Sequence, residues 1–129
     1  MDKTHNSRLG AIVIDCETED LAVAGEFWSV ALGLRAESVH TQSNEKYLRL
    51  EGEPGEPQVL LQKVDHPSRV HLDIESDNIE AEVARLQAIG ARVVEVLERW
   101  TVMEAPSGHR FCVIGPVRDG FDEGATSCA

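Results

Sequence analysis

Val70-His71-Leu72-Asp73-Ile74-Glu75, followed by Asp77-Asn78-Ile79-Glu80 and the run to Ile89-Gly90, is the stretch that decides the fold. The first six residues read as a β-strand, with Val70, Leu72 and Ile74 alternating with His71, Asp73 and Glu75. Asp77 and Glu80 then stand at capping-box spacing, Asp taking the place of Ser or Thr. Ile79, Val83, Leu86 and Ile89 form one apolar stripe and Gly90 supplies a stop, which predicts a helix over Ile79–Ala88. Three further strands are expected, over residues 91–96, 100–103 and 110–114, with Pro106-Ser107-Gly108 as the turn before the last.

Upstream, the same order of elements occurs once already. Gly10-Ala11-Ile12-Val13-Ile14-Asp15-Cys16 reads as a buried strand, and Asp20 offers an N-cap. Leu21, Ala24, Phe27, Trp28 and Ala31 follow at helical spacing and Gly33 ends the run, so a helix is expected over Leu21–Ala31. Strands are predicted near residues 36–41, 45–51 and 58–64, with Glu53-Pro54-Gly55-Glu56-Pro57 turning between the last two. An offset of 58 residues lays Val13-Ile14-Asp15 on His71-Leu72-Asp73 and Asp20-Leu21 on Asn78-Ile79. Ala31-Leu32-Gly33-Leu34 falls on Ala88-Ile89-Gly90-Ala91 after a slip of one. Chance likeness between two strand-helix units is the alternative. A true repeat means two βαβββ modules, neither of which buries its apolar face alone.

Composition narrows the function classes. A chain of 129 residues sits in the one-domain range, and no apolar run approaches the ~20 residues that cross a bilayer. A formal charge of −11 with no Lys/Arg cluster argues against nucleic acid as a partner. Cys16, Cys112 and Cys128 form no CxxC pair, so neither a disulfide framework nor a zinc knuckle is indicated. Cys128 lies in the polar tail, 117–129, and reads as an exposed thiol without structural role. The polar start Met1-Asp2-Lys3-Thr4-His5-Asn6 lacks the apolar stretch of a secretory signal, so a cytoplasmic location is expected.

Several segments together resemble the vicinal oxygen chelate superfamily of glyoxalases, bleomycin-resistance proteins and extradiol dioxygenases. They are Glu19-Asp20-Leu21 with Phe27-Trp28 and Ala31-Leu32-Gly33-Leu34, then Val70 to Ile74 with Asn78 to Leu86, and Trp100 to Val113. The likeness spans roughly residues 9 to 116 and is nearest to the small bacterial glyoxalase-like branch. It implies an α+β fold in which the two βαβββ modules, about 9–66 and about 67–116, form one domain. That domain would be an incomplete eight-stranded barrel with helices on the outer face and the ligand inside. Alternation then turns Ile12, Ile14, Cys16, Leu72 and Ile74 toward the helices, and Ala11, Val13, Asp15, His71, Asp73 and Glu75 inward.

Family enzymes hold a divalent metal with His, Glu or Gln side chains on the inner strands. The resemblance puts those four positions at Val13, at Leu61 or Gln62, at His71, and at Cys112, where metal-using relatives commonly carry Glu. Valine has no donor atom and a thiol ligates only when deprotonated, so the standard site is degenerate and no metal ligands or cofactor are expected. A rearranged site on Asp15, His71 and Asp73 is the alternative.

Asp15 and Asp73 read either as ligand-recognition groups or general bases, or as ordinary carboxylates in a wet cleft. His71 reads as an acid/base partner of Asp73 or as a hydrogen-bonded remnant of a metal-binding ancestor. Arg49, if inward, pairs with Asp15 or clamps a ligand; outward, it is a solvated strand residue. Trp28 reads as core or interface packing, Trp100 as packing or a stacking surface near the cavity mouth, and His109 as exposed. The expected function is small-molecule binding of the glyoxalase/bleomycin-resistance type, with Val13, Gln62, Trp100, Cys112 and Arg49 around the ligand. A divergent lyase, isomerase or dioxygenase using His71 with Asp15 or Asp73 is the alternative. The resemblance further implies a homodimer.

Overall fold

The structure is a computed structural model, which describes residues 5–38, 46–53, 56–116 and 121–128. Their elements run β1 (His5–Glu17), α1 (Leu21–Leu32), β2 (Arg35–Ser38), β3 (Tyr47–Glu51), β4 (Gln58–Val64), β5 (Arg69–Ser76), α2 (Ile79–Ala88), β6 (Arg92–Val96), β7 (Trp100–Glu104), β8 (Arg110–Ile114), α3 (Phe121–Gly124) and β9 (Thr126–Cys128). Part of the strands expected over 36–41 and 45–51, and Pro54-Gly55 of the turn, lie outside the described residues. The fold is mixed α+β. The chain divides into two compact units, Ala11–His71 and Met1–Gly10 with Leu72–Ala129, called here the first and second unit.

In the first unit the strands are ordered β2-β3-β4-β1. β4 runs parallel to β1, with Val13 opposite Leu60 and Asp15 opposite Gln62. The β2–β3 and β3–β4 pairs are antiparallel. Asp20 caps α1 as expected, its carboxylate accepting from the Ala22 amide, and Gly33 closes the helix in the left-handed conformation at φ 68°. The core joins Cys16, Leu21, Leu50 and Leu61, with Ile14, Ala24, Trp28 and Leu48 packed against it. Ile14 and Cys16 therefore face the helix as alternation requires, and Trp28 is a packing residue. Phe27 and Ala31, expected on the same stripe, are exposed instead, although Phe27 meets the Trp28 ring edge-on at 5.1 Å. The Leu21–Ala24–Trp28 line, with Gly25 beside it, is what reaches the sheet.

The second unit repeats this plan with the strand order β5-β8-β7-β6. β8 lies parallel to β5, and β7 antiparallel to both β8 and β6. Leu86, Met103 and Val113 form its core with Ile74, Ile79, Val83 and Phe111 around them. The α2 bounds are those expected, but the cap is Asn78, whose side chain accepts from the Ala81 amide, one residue later than the capping-box reading. Asp77 is engaged elsewhere, accepting from the Asn6 backbone at 2.8 Å. Leu72 and Ile89 are exposed, because α2 covers β5 only from Ile74 onward and Ile89 already lies beyond the last helical turn.

Both chain ends add structure that the sequence reading lacked. β1 begins at His5, and β9 pairs antiparallel with its first residues, His5 opposite Cys128 and Ser7 opposite Thr126. Cys128 is half-buried, its Sγ 3.3 Å from Ser7 Oγ, which corrects its reading as an exposed tail thiol.

Candidate functional site

In the first unit, Ile14 and Cys16 are committed to the core under α1, so period-two alternation turns Val13 and Asp15 to the opposite face. The strand register extends that face. Asp15 lies opposite Gln62 and Gln62 opposite Tyr47, one polar row across three strands; Val13, Leu60 and Arg49 make the next. Directly opposed residues share a face, which decides Arg49: it stands on the side of Asp15. Gln62 Nε2 donates to Tyr47 Oη at 3.2 Å. Leu61, fully buried in the helix-side core, is excluded from this face, so Gln62 is the residue that the sequence left undecided.

The centre of the row is Asp15, only 2% exposed. Its Oδ2 lies 2.7 Å from His71 Nδ1 and 3.8 Å from Arg69 Nε, two residues of β5 that alternation puts on one side. Its Oδ1 has no hydrogen-bonding partner among the described residues. Burial of an ionised carboxylate is unfavourable unless it is paired, and an unmade bond on a buried polar atom costs about 1–3 kcal/mol. Oδ2 meets that requirement and Oδ1 does not. A carboxylate only accepts, so Nδ1 carries the neutral His71 proton and Nε2 keeps the lone pair. The same environment reaches the next residue: burial first, then the Asp15 charge, pushes the Cys16 thiol above its ordinary range.

A cleft of about 440 Å³ opens in this unit on the helix side of β1, walled by Ile14, Cys16, Trp28, Ser68 and Arg69, and Asp15 is among its lining residues. Ser68 Oγ accepts from the Glu17 amide at 2.9 Å and so fixes the segment that leads into β5. The aromatic wall here is Trp28. Sequence reading singled out neither Arg69 nor Tyr47 for this site. The signal was there for both, since each lies two residues along a strand from a residue that was named, His71 and Arg49.

The second unit carries the equivalent row, Asp73 opposite Cys112 and Cys112 opposite Val102. Asp73 and Cys112 are both half-buried. Trp100 lies opposite Ile114, on the face of this row, and is 39% exposed. His109 is exposed, as expected, with Ser107 Oγ 2.7 Å from its Nδ1.

Of the four positions where the resemblance implies metal ligands, Val13 is a buried valine without a donor, and the Gln62 amide is turned to Tyr47. A valine at the first position cannot ligate, and no chemical step is derived through a metal at this set.

A family model described as a glyoxalase-like domain matches residues 11–114. Solved structures with the same fold include methylmalonyl-CoA epimerase from Mycobacterium tuberculosis, with TM-score 0.58 and 18% identity over 84% of this chain and 87% of that one. Streptomyces coelicolor methylmalonyl-CoA epimerase in complex with 2-nitronate-propionyl-CoA gives TM-score 0.61 and 15% identity over 85% and 97%. A hypothetical protein from Bacillus halodurans gives 0.60 and 13% over 88% and 97%. These neighbours belong to the vicinal oxygen chelate superfamily, and at such identities they share a fold with this chain and nothing more. No curated protein matches the sequence. Among the described residues no helix is long and apolar enough to cross a membrane.

Proposed function

Since the chain belongs to the glyoxalase-like domain family, we propose that it is a small-molecule-binding protein of the glyoxalase/bleomycin-resistance type with a degenerate metal site. The observation that carries the reading is Asp15: a carboxylate 2% exposed, with one oxygen held by His71 and the other unpartnered among the described residues. Such an oxygen is completed by a ligand that brings an N–H or O–H donor or a positive charge. Gln62, Tyr47 and Arg49 on the same face supply orienting polar groups. Asp73, Cys112 and Trp100 share one face of the second unit and offer further polar and aromatic groups for a ligand there. Binding needs no divalent metal and survives chelation.

The test is a thermal-shift screen of cationic and polar aromatic compounds, which exposes a ligand through its stabilisation of the folded state. Asp15→Asn is expected to weaken the best hit by about 1–3 kcal/mol, the range for hydrogen bonds to charged groups. Anionic hits, or an Asp15→Asn protein that binds as well as the parent, overturn the reading.

One observation favours a second reading, acid/base catalysis by a divergent lyase, isomerase or dioxygenase. Asp15 lies 2.7 Å from His71 Nδ1 and so orients the imidazole as a candidate acid/base group toward a bound substrate; Asp73, two residues along the strand, is the other carboxylate proposed for this role. A His71→Gln variant that retains binding but abolishes turnover of a screened substrate separates the two readings. We further propose a cytoplasmic homodimer. The exposed Val23, Phe27 and Val30 of α1, which border a shallow apolar groove, support an interface there.

A further inference from the structure

The second unit holds another convergence of chemically active side chains, away from the face of Asp73 and Cys112. The β1–β9 register sets His5 opposite Cys128, so imidazole and thiol lie side by side on two paired strands. α2 presents Glu82 to the same place, and one ligand atom from each of the three residues lies within 4.8 Å of the other two. His5 and Glu82 are shut from solvent, at 5% and 0% exposure. His5 Nε2 is 2.7 Å from Glu82 Oε1, while its buried Nδ1 has no hydrogen-bonding partner among the described residues.

Arg85 completes the cluster, donating to both Glu82 oxygens at 2.8 and 2.7 Å. Burial would raise the Glu82 pKa, but the hydrogen bonds from Arg85 and His5 and the Arg85 charge outweigh it and hold the carboxyl below its ordinary range. Arg85 has a route out, its side chain being 32% exposed, and Cys128 is half-buried. The donor types also decide the class of cation. Imidazole, thiolate and carboxylate together suit zinc and its borderline neighbours, whereas magnesium and calcium want oxygen alone.

We propose that His5, Glu82 and Cys128 bind one zinc-class divalent cation, with Arg85 as the counter-cation that holds Glu82 when the metal is away. Binding releases the Cys128 thiol proton to solvent and clamps the chain's first described strand to its last. The site shares no residue with the Asp15 site and does not depend on the ligand-binding reading.

Cobalt(II) is the probe, titrated into the reduced, chelator-treated full-length protein. The expected result is one equivalent bound with a thiolate-to-cobalt charge-transfer absorption, displaced by zinc. Cys128→Ser, near-isosteric and checked by circular dichroism, is expected to lose the band and weaken binding by at least about tenfold. Arg85→Met removes the competitor, so it is expected to tighten cobalt binding and to enlarge the metal-induced rise in Tm. His71→Ala should leave the titration unchanged. Absence of a thiolate band in the folded parent, its survival in Cys128→Ser, or its loss in His71→Ala overturns the proposal.

Discussion

The two units bury carboxylates on the same scaffold but treat them differently. In the second unit Glu75 accepts from Arg8 at 2.8 Å, and Glu82 takes two hydrogen bonds from Arg85 and lies 2.7 Å from His5. Both are fully buried. In the first unit Asp15 is almost as deeply buried, yet Arg69 stands 3.8 Å from it and one oxygen has no hydrogen-bonding partner among the described residues. With no metal bound, a carboxylate locked to an arginine has its requirements met inside the protein; one left half-satisfied has a requirement that an incoming molecule would meet. Charge and burial alone do not distinguish the two cases, and hydrogen-bond completeness does.

The largest expected effect breaks a closed pair. Arg8→Met removes the arginine that faces buried Glu75 and is expected to destabilise the fold by about 3–5 kcal/mol in denaturant melts. Asp15→Asn in the first unit should cost no more than about 1 kcal/mol, since it keeps an acceptor for His71 and leaves no new charge unpaired. Equal losses in the two variants would erase the distinction.

A second comparison uses two glycines. A Cβ on Gly10 would meet Glu75 Cγ at 2.5 Å, on a stem pinned by Arg8. A Cβ on Gly25 would meet Leu48 Cδ1 at 2.5 Å, the free end of a flexible side chain. Gly10→Ala is expected to lose about 1–3 kcal/mol by overpacking. Gly25→Ala should come out near neutral, because helix propensity returns up to about 1 kcal/mol. Thermal melts of the two proteins side by side check the order.

The smallest effect concerns acid. Glu82 is held below its ordinary value of about 4.5, so its stabilising contribution is fully present above that pH and is lost as pH falls through the depressed folded value. Tm should therefore fall between neutral pH and pH ~3, and less steeply in Glu82→Gln. An unchanged slope in that variant would place the acid sensitivity elsewhere.

The α1 and α2 helices were legible in the sequence because a 3.6-residue stripe, a capping residue and a terminal glycine agree for each. β4 and β8 were legible from their turns and short apolar runs. What escaped was whatever depends on a distant partner. The polar run His5–Arg8 shows no strand signal by itself; it becomes strand because Thr126–Cys128 returns to pair with it. Asp77 has the chemistry of an N-cap, but Asn6 occupies its carboxylate, and the cap passes to Asn78. Glu82 reads as one more charge on a helix surface, and it is Arg85, His5 and Ser7 that make its burial tolerable. The candidate site divides in the same way. Val13, Asp15 and His71 follow from alternation and repeat symmetry, whereas the side taken by Arg49 and the choice of Gln62 over Leu61 required the register of β3 and β4.

The elevated thiol of Cys16 turns the protein into its own indicator. Part of that elevation comes from the negative charge of its neighbour Asp15. A cationic molecule seated on Asp15 cancels that charge, increases the thiolate fraction of Cys16 and quickens its reaction with an alkylating reagent. A neutral molecule that merely fills the cleft, of which Cys16 is a wall, shields the sulfur and slows the same reaction. The rate of labelling at one native cysteine thus reports the presence of a guest and the sign of its charge, with no dye or tag added.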